Sequence, residues 1–340
     1  SAIIDGKVFS HPVPTRMLWR PDKVICEYEV AGVQIREEKF IGSNDAAASI
    51  ITSSEPVTLR FEGHSFFVRH SVSSTSEILY EPKENSILII EGGTVRSRPD
   101  PNGSERTGPC VYQGMTTALS SSKNFSKSVR FEKGEKGESK YLFEIPCDSK
   151  GATISWAMHD APAKAQQAAR EIITKDRKML TGKTVEMNRQ LNEEIPKFRC
   201  SDLKFEEIYY YLWSIYLMYY IEVGKGWEKE NHTQTAINNF LGIHRYDACF
   251  QIKVGAWTKD KERFAYGNVL TWKHLVENGK YRETTSGAIM LSDNKGTSWH
   301  SGAYGGELAE HVLGAWQIYE HSGDLGFLRK CYEGYFRKVF

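Results

Sequence analysis

The stretch His311-Val-Leu-Gly-Ala-Trp-Gln-Ile-Tyr-Glu-His-Ser-Gly-Asp-Leu-Gly-Phe-Leu-Arg329 decides how the second half of the chain is interpreted. Its apolar residues recur at helical spacing on both sides of a short Ser-Gly-Asp loop. This predicts one helix over Glu307–Ser322 and a second over Leu325–Phe340, joined as a helical hairpin. The apolar pattern carries no stop signal at Phe340, so we expect the helical domain to continue beyond that residue.

Further helices are predicted upstream of this hairpin. Ser201 is a plausible N-cap for a helix that carries apolar residues from Phe205 to Tyr220 on all its faces. Such a helix is expected to be wrapped by other helices. A polar helix or pair of helices is predicted over Ala161–Ile195, and others over Tyr246–Thr258 and Asp260–Asn278.

The first half of the chain has the alternation of β structure. Val57, Leu59 and Phe61 alternate with polar residues, as in a strand with one buried face. Turn residues separate the predicted strands, which are Val24–Val30, Val33–Ile41, Ser65–His70, Ile87–Ile90, Lys127–Glu132, Tyr141–Pro146 and Ala152–Met158. The Ser/Gly/Pro-rich region 97–123 is predicted as one long loop.

The sequence therefore predicts a multidomain protein in which β structure precedes helices. We expect an antiparallel β-sandwich over residues 1–158, a helical linker over 159–199, and a helical domain over 200–340.

Composition excludes several functional classes. The 340 residues include 44 basic and 43 acidic side chains, so the formal charge is +1 and neither nucleic acid nor an anionic membrane is expected as a partner. No apolar run reaches the ~18 residues of a membrane span. The six cysteines form no C-x-x-C pair, and phosphate-binding glycine motifs are absent, so no metal and no cofactor is expected. Sequons at Asn102, Asn124 and Asn231 favour the secretory pathway.

Two polar clusters are candidate sites. In the first, a glycine-bearing loop delivers His244, Arg245 and Asp247 to the start of an apolar helix. The purely structural interpretation is an ion pair at a helix N-terminus. The functional one is an Arg and an Asp that hold adjacent hydroxyls of a pyranose through charge-assisted hydrogen bonds.

The second cluster lies in the glycine-rich segment 296–311, just before the predicted helix. Trp299 could form a platform for a sugar ring, with His300 and Tyr304 as hydrogen-bonding partners. The purely structural interpretation is a loose turn in which Glu307 caps the following helix. Glu307 and His311 are four residues apart, but no zinc-enzyme motif surrounds them, so no metal is predicted.

The stretch 311–329 resembles the helix–loop–helix of the six-hairpin glycosidases, the (α/α)6-barrel glycoside hydrolases and phosphorylases that include families 15, 37, 63, 65 and 94. Gly242–Phe250 similarly resembles the entrance to the second helix of their barrels. The resemblance implies a β-sandwich, a linker helix and an (α/α)6 barrel, incomplete in this chain, whose remaining C-terminal part is an expected partner. The family stays open, because Tyr246-Asp-Ala-Cys249 departs from the Trp-Asp-Thr-Glu of family 65.

This resemblance implies a glycosidase that binds a carbohydrate at the barrel mouth. Arg245 and Asp247 match positions that hold the sugar in the −1 subsite, and we add His244, Trp299, His300 and Tyr304 as binding candidates. The general acid of the superfamily usually follows the Asp247 position by well over a hundred residues. The catalytic carboxylates are therefore expected beyond Phe340, with Glu307 and Glu310 as stand-ins within the chain.

The favoured hypothesis is an inverting glycoside hydrolase that cleaves a small glycoside or an oligosaccharide end. One alternative is a phosphorylase on the same fold, which requires a phosphate-binding loop that we do not find. Another is a polysaccharide lyase, which usually has its helices before its sheet and basic residues for uronates. A third is an inactive relative that binds carbohydrate without its catalytic carboxylates.

Overall fold

A computed structural model describes residues 1–42, 44–65, 71–96, 107–109, 114–125, 129–133, 139–223, 229–234, 243–277, 288–289 and 308–337. The chain divides into two compact units, Ser1–Met187 and Asn188–Phe340. The division falls within the segment 159–199 that the sequence analysis assigns to a linker. The three-part domain organisation stays a prediction.

The first unit contains sixteen described strands. They are β1 (Ala2–Ile4), β2 (Lys7–Phe9), β3 (Arg16–Trp19), β4 (Val24–Val30), β5 (Val33–Ile41), β6 (Ala46–Ser53), β7 (Val57–His64), β8 (Ser71–Ser74), β9 (Glu77–Glu81), β10 (Ser86–Ile90), β11 (Gly93–Arg96), β12 (Thr107–Pro109), β13 (Thr116–Ser121), β14 (Arg130–Lys133), β15 (Ser139–Cys147) and β16 (Ala152–His159).

Two antiparallel sheets carry most of these strands. The larger has the order β3-β4-β5-β6-β16-β13-β10-β9, and the smaller has the order β14-β15-β7-β1-β2. The predicted bounds of β4 and β5 are confirmed. The Ala31-Gly32 turn between them adopts the left-handed φ angles that a tight hairpin requires. Strands β8, β11 and β12 form a separate small sheet.

A hydrophobic core lies between the two sheets, as expected for a sandwich. Phe143 and Ile145 of the smaller sheet belong to one buried cluster with Ile35, Ile87 and Ile154 of the larger sheet. Phe143, Ile145 and Ile87 are at most 1% exposed. Burying each such side chain stabilises the fold by about 1.5–3 kcal/mol.

The outer face of the larger sheet is also covered. Helix α1 (Pro162–Thr174) buries Ala165, Ala169 and Ile172 against residues of that face such as Ala48 and Leu88. The Ser155 hydroxyl donates to the Ala169 carbonyl at 2.7 Å. The first unit therefore has three layers, and the helix after the sandwich is part of its core.

The long loop predicted over 97–123 is wrong in part. Residues 107–109 form β12, and Thr116–Ser121 forms β13, a strand inside the larger sheet. Because β13 is buried on both faces, its small residues show no alternation. The predicted strand Ser65–His70 falls outside the described residues except for Ser65, which follows the end of β7.

Seven described helices carry the rest of the fold. They are α1, α2 (Asp176–Arg189), α3 (Leu203–Met218), α4 (Arg245–Gly255), α5 (Gly267–Glu277), α6 (Leu308–Ser322) and α7 (Leu325–Cys331). Wider helical turns extend α2, α5 and α7 over Gln190–Glu194, Glu262–Tyr266 and Tyr332–Phe336. Of the two predicted alternatives for Ala161–Ile195, the pair of helices is confirmed.

In the second unit, helices α4 to α7 share one core. Ile252 of α4, Val269 of α5 and Ile318 of α6 are fully buried together, and Phe327 and Cys331 of α7 join them. Two-residue strands β17 (Tyr220–Ile221) and β18 (His232–Thr233) pair after α3, and β19 (Ile243–His244) pairs with β20 (Ala288–Ile289). The closed (α/α)6 barrel stays a prediction.

Helix α3 differs from its prediction in two ways. Its N-cap is Asp202, whose side chain accepts from the Lys204 N–H at 2.9 Å, and not Ser201. The helix is also not wrapped on all sides by the described residues. Trp213, Tyr216 and Leu217 are buried, but six other apolar side chains are about half exposed or more: Leu203, Phe205, Ile208, Tyr211, Leu212 and Met218.

Candidate functional site

The first predicted cluster lies where a short strand meets a helix. His244 ends β19, and Arg245, Tyr246 and Asp247 form the first turn of α4. The structure describes the backbone of these four residues. Their predicted position at a helix start is confirmed, and their binding role stays a prediction.

The start of α4 is a favourable place for polar recognition. The first N–H groups of a helix have no partner within the helix and carry partial positive charge. Negative charge is stabilised near such a helix start.

A strand pair joins the residues before α4 to the connection between α5 and α6. β20 belongs to the connection between α5 and α6, and it pairs antiparallel with β19, with Ile289 opposite Ile243 and Ala288 opposite His244. The residues Trp299, His300, Tyr304 and Glu307 belong to the same connection and lie outside the described residues. Glu310 is in the first turn of α6, where the backbone is described. The convergence of the two clusters on one pocket stays a prediction.

The described residues of the second unit also line a cavity of about 730 Å³ that the sequence analysis does not anticipate. Its walls include Tyr220, Glu222, Arg263, Tyr266, Asp324 and Phe327. The Arg263 guanidinium pairs with the Glu222 carboxylate at 3.2 Å and lies 5.1 Å from the centre of the Tyr220 ring. These residues come from three separate segments of the chain, so no local sequence pattern predicts that they share a cavity.

Asp324 of the Ser-Gly-Asp loop has a structural role in this cavity wall. Its Oδ1 accepts from the Phe327 N–H at 2.8 Å, which caps α7, and its Oδ2 accepts from the Tyr266 hydroxyl at 2.9 Å. The hydrogen bond from the Phe327 N–H is the main reason why the pKa of Asp324 lies below its usual value. Burial, and then the bond to Asp324, raise the pKa of Tyr266 to about 12.

The described residues that line this cavity include none of the predicted sugar-binding residues. From the segment 262–267 they are Glu262, Arg263, Tyr266 and Gly267.

Metal-binding clusters and membrane-spanning helices are two further features that bear on function. In that part of the chain, no three His, Cys, Asp or Glu side chains are grouped so as to hold a metal ion. Within the same residues, no helix is both long and apolar enough to span a membrane.

Comparison with known proteins gives matches of structure only. No family model and no curated protein matches this chain. Among solved structures, one described as a kojibiose phosphorylase from the human microbiome matches with a TM-score of 0.48 and 13% identity, over 90% of this chain and 42% of that one. The family GH92 glycosyl hydrolase CcMan5 matches with a TM-score of 0.46 and 10% identity, over 91% of this chain and 44% of that one.

This chain thus spans less than half the length of either structure.

Proposed function

We propose that this chain belongs to a carbohydrate-active enzyme, a glycosidase whose sugar pocket lies at the start of α4. The observation that carries the proposal is the helix start itself: Arg245 and Asp247 lie in the first turn of α4, and β19 before them pairs with β20, in the α5–α6 connection that also carries Trp299 and His300 in the sequence. The order of a β-sandwich followed by helical hairpins supports it.

Each predicted residue has a role that its chemistry suits. Arg245 donates to, and Asp247 accepts from, neighbouring hydroxyls of one sugar ring. Trp299 stacks on the apolar face of the ring, and His244, His300 and Tyr304 provide further hydrogen bonds. A neutral polyhydroxyl ligand requires this mixture of donors, acceptors and a flat apolar surface, and it agrees with the near-zero net charge of the chain.

The proposed chemistry is inverting hydrolysis. A protonated carboxylic acid donates its proton to the leaving oxygen, while a second carboxylate activates a water molecule on the opposite face of the sugar. The acid must keep a raised pKa in order to stay protonated until it reacts. Glu307 and Glu310 are the stand-ins for these carboxylates within the chain, and residues after Phe340 are the preferred source.

The proposal is tested by replacing Asp247. On a glycoside that the protein hydrolyses, found by screening aryl glycosides and disaccharides, Asp247→Ala should lower kcat/KM by about 100-fold or more, because its hydrogen bonds tighten in the transition state. Asp202→Ala is the matched control, since Asp202 also lies at a helix start but caps α3. We expect its turnover to equal that of the wild type.

Four results of these experiments would change the assignment. Unchanged turnover of Asp247→Ala would remove that residue from the site. Sugar release that requires inorganic phosphate would favour the phosphorylase alternative, and an unsaturated uronate product would favour a lyase. Binding of sugars without turnover would favour the inactive relative.

A further inference from the structure

Three consecutive polar residues are buried inside the helical unit. His232, Thr233 and Gln234 are 0%, 1% and 7% exposed. Buried polar groups are costly unless they are hydrogen-bonded, so a segment of this kind needs partners along its whole length. On one side, the Gln234 N–H donates to the Tyr219 carbonyl at 3.0 Å, and β18 pairs with β17.

On the other side, Asn268 takes the place of a neighbouring strand. Its Oδ1 accepts from the Thr233 N–H at 3.0 Å, and its Nδ2 donates to the Thr233 carbonyl at 2.9 Å. Asn268 is fully buried in the first turn of α5. The preceding Gly267 permits this approach, because a Cβ atom there would lie 1.5 Å from the Asn231 carbonyl oxygen.

The same amide also contacts α4. Asn268 Nδ2 donates to Gln251 Oε1 at 3.2 Å. Gln251 follows Asp247 by four positions, which is one turn of the helix. One side chain on α5 therefore ties the buried segment 232–234 to α4, one turn below the residues assigned to sugar binding.

We infer that Asn268 is a positioning residue for the sugar site at the start of α4. This inference rests on the proposed function. Asn268 holds α4 at a fixed distance from segment 232–234, so the first turn of α4 is presented to the ligand in one orientation. Such control matters because a shift of about 1 Å in a binding group can cost about 100-fold in rate.

The test removes the amide and follows two measurements. Asn268→Ala should lower kcat by about 10–100-fold, with a smaller change in KM. Amide hydrogen exchange of residues 249–252, whose N–H groups donate within α4, should become faster in the same variant. Thr271→Val is the matched control: the Thr271 hydroxyl is buried on the same helix, and it donates only within that helix, to the Gly267 carbonyl at 2.8 Å. We expect wild-type kcat and wild-type exchange at α4 for this control.

A second variant keeps the inference testable if Asn268→Ala does not fold. Gln251→Met retains the side-chain length and the Asn268–Thr233 pair, and removes only the acceptor on α4. It should change both measurements in the same direction as Asn268→Ala.

The outcomes separate this inference from the proposed function. If no glycoside is hydrolysed, the proposed function fails, and hydrogen exchange alone decides whether Asn268 positions α4. Wild-type exchange of residues 249–252 in both Asn268→Ala and Gln251→Met would overturn the inference. Equal effects of Thr271→Val and Asn268→Ala would overturn it too, since any loss of a buried hydrogen bond on α5 would then suffice.

Discussion

Asp324 and Gly323 of the Ser-Gly-Asp loop have structural roles in the helical unit. Asp324 belongs to the Ser-Gly-Asp loop that carries the resemblance to six-hairpin glycosidases, and both of its carboxylate oxygens accept hydrogen bonds within the protein. Gly323 before it has a positive φ of 69°, which suits glycine at a helix end. The loop thus joins two helices, and the proposed sugar binding depends on Arg245 and Asp247.

His232 should make stability depend on pH. Its Nδ1 lies 3.0 Å from the Glu230 carbonyl, which can only accept, so Nδ1 carries the proton and Nε2 is a buried acceptor without a partner among the described residues. Burial lowers the pKa of His232. The unfolded chain therefore takes up a proton first as the pH falls below about 6.5, and the free energy of unfolding should decrease from there until the folded-state pKa is passed.

Denaturant unfolding at a series of pH values measures this effect. His232→Gln should show a flatter dependence on pH below about 6.5 than the wild type. His11→Gln replaces an exposed histidine of the first unit and should retain the wild-type slope. Superimposable curves for His232→Gln and the wild type would contradict the prediction.

At the scale of elements, strands with clear alternation or large apolar residues could be predicted, whereas β6 and β13, doubly covered and rich in small residues, could not. Strands β4 and β5 alternate polar and apolar residues between tight turns, so their bounds follow from the sequence. β6 and β13 lie inside a sheet that has the smaller sheet on one face and α1 on the other. Their Ala, Ser and Thr residues are buried on both sides, and no period of two remains to be detected.

The cap of α7 provides a prediction at the same scale. Asp324→Ala should lower the free energy of unfolding of the second unit by about 1–3 kcal/mol, because it removes the N-cap and leaves the Tyr266 hydroxyl without its acceptor. Asp202→Ala removes the cap of α3 alone and should cost about 1 kcal/mol. The comparison requires denaturant unfolding of both variants. Equal losses would mean that the Tyr266–Asp324 bond adds nothing to the cap.

At the scale of the whole molecule, the first unit should fold without the second. Residues 1–187 contain the larger sheet and the elements that cover its two faces. The smaller sheet covers one face, and α1 and α2 cover the other. A fragment of residues 1–187 should therefore unfold in one cooperative thermal transition. A fragment of residues 1–158 ends at the predicted domain boundary and lacks α1, so it leaves Phe40, Ala48 and Leu88 uncovered.

Circular dichroism and size-exclusion chromatography distinguish these fragments. We expect the 1–158 fragment to aggregate or to melt well below the 1–187 fragment, since it exposes apolar surface that α1 covers. Equal melting temperatures would show that α1 is dispensable and would support the sequence-based boundary.

The candidate site could be predicted only in its local part. A glycine-bearing loop followed by an apolar helix places Arg245 and Asp247 at a helix start, and the sequence contains that information within a few residues. The polar contacts below it join Thr233 to Asn268 across 35 positions. No period or motif links such distant residues, because only the packing of α5 against segment 232–234 brings them together.

The order of strands in the larger sheet has a consequence for synthesis on the ribosome. β16 pairs with β6 on one side and with β13 on the other, so residues 152–159 lie near the middle of a sheet whose other strands all precede them in the chain. Until those residues leave the exit tunnel, β3 to β6 and β9, β10 and β13 remain two separate groups, each with an unpaired edge. The strand in the middle of this sheet, β16, is therefore synthesised last. Until then the exposed edges of β6 and β13 can pair with other chains, so the nascent chain is prone to aggregation at this stage.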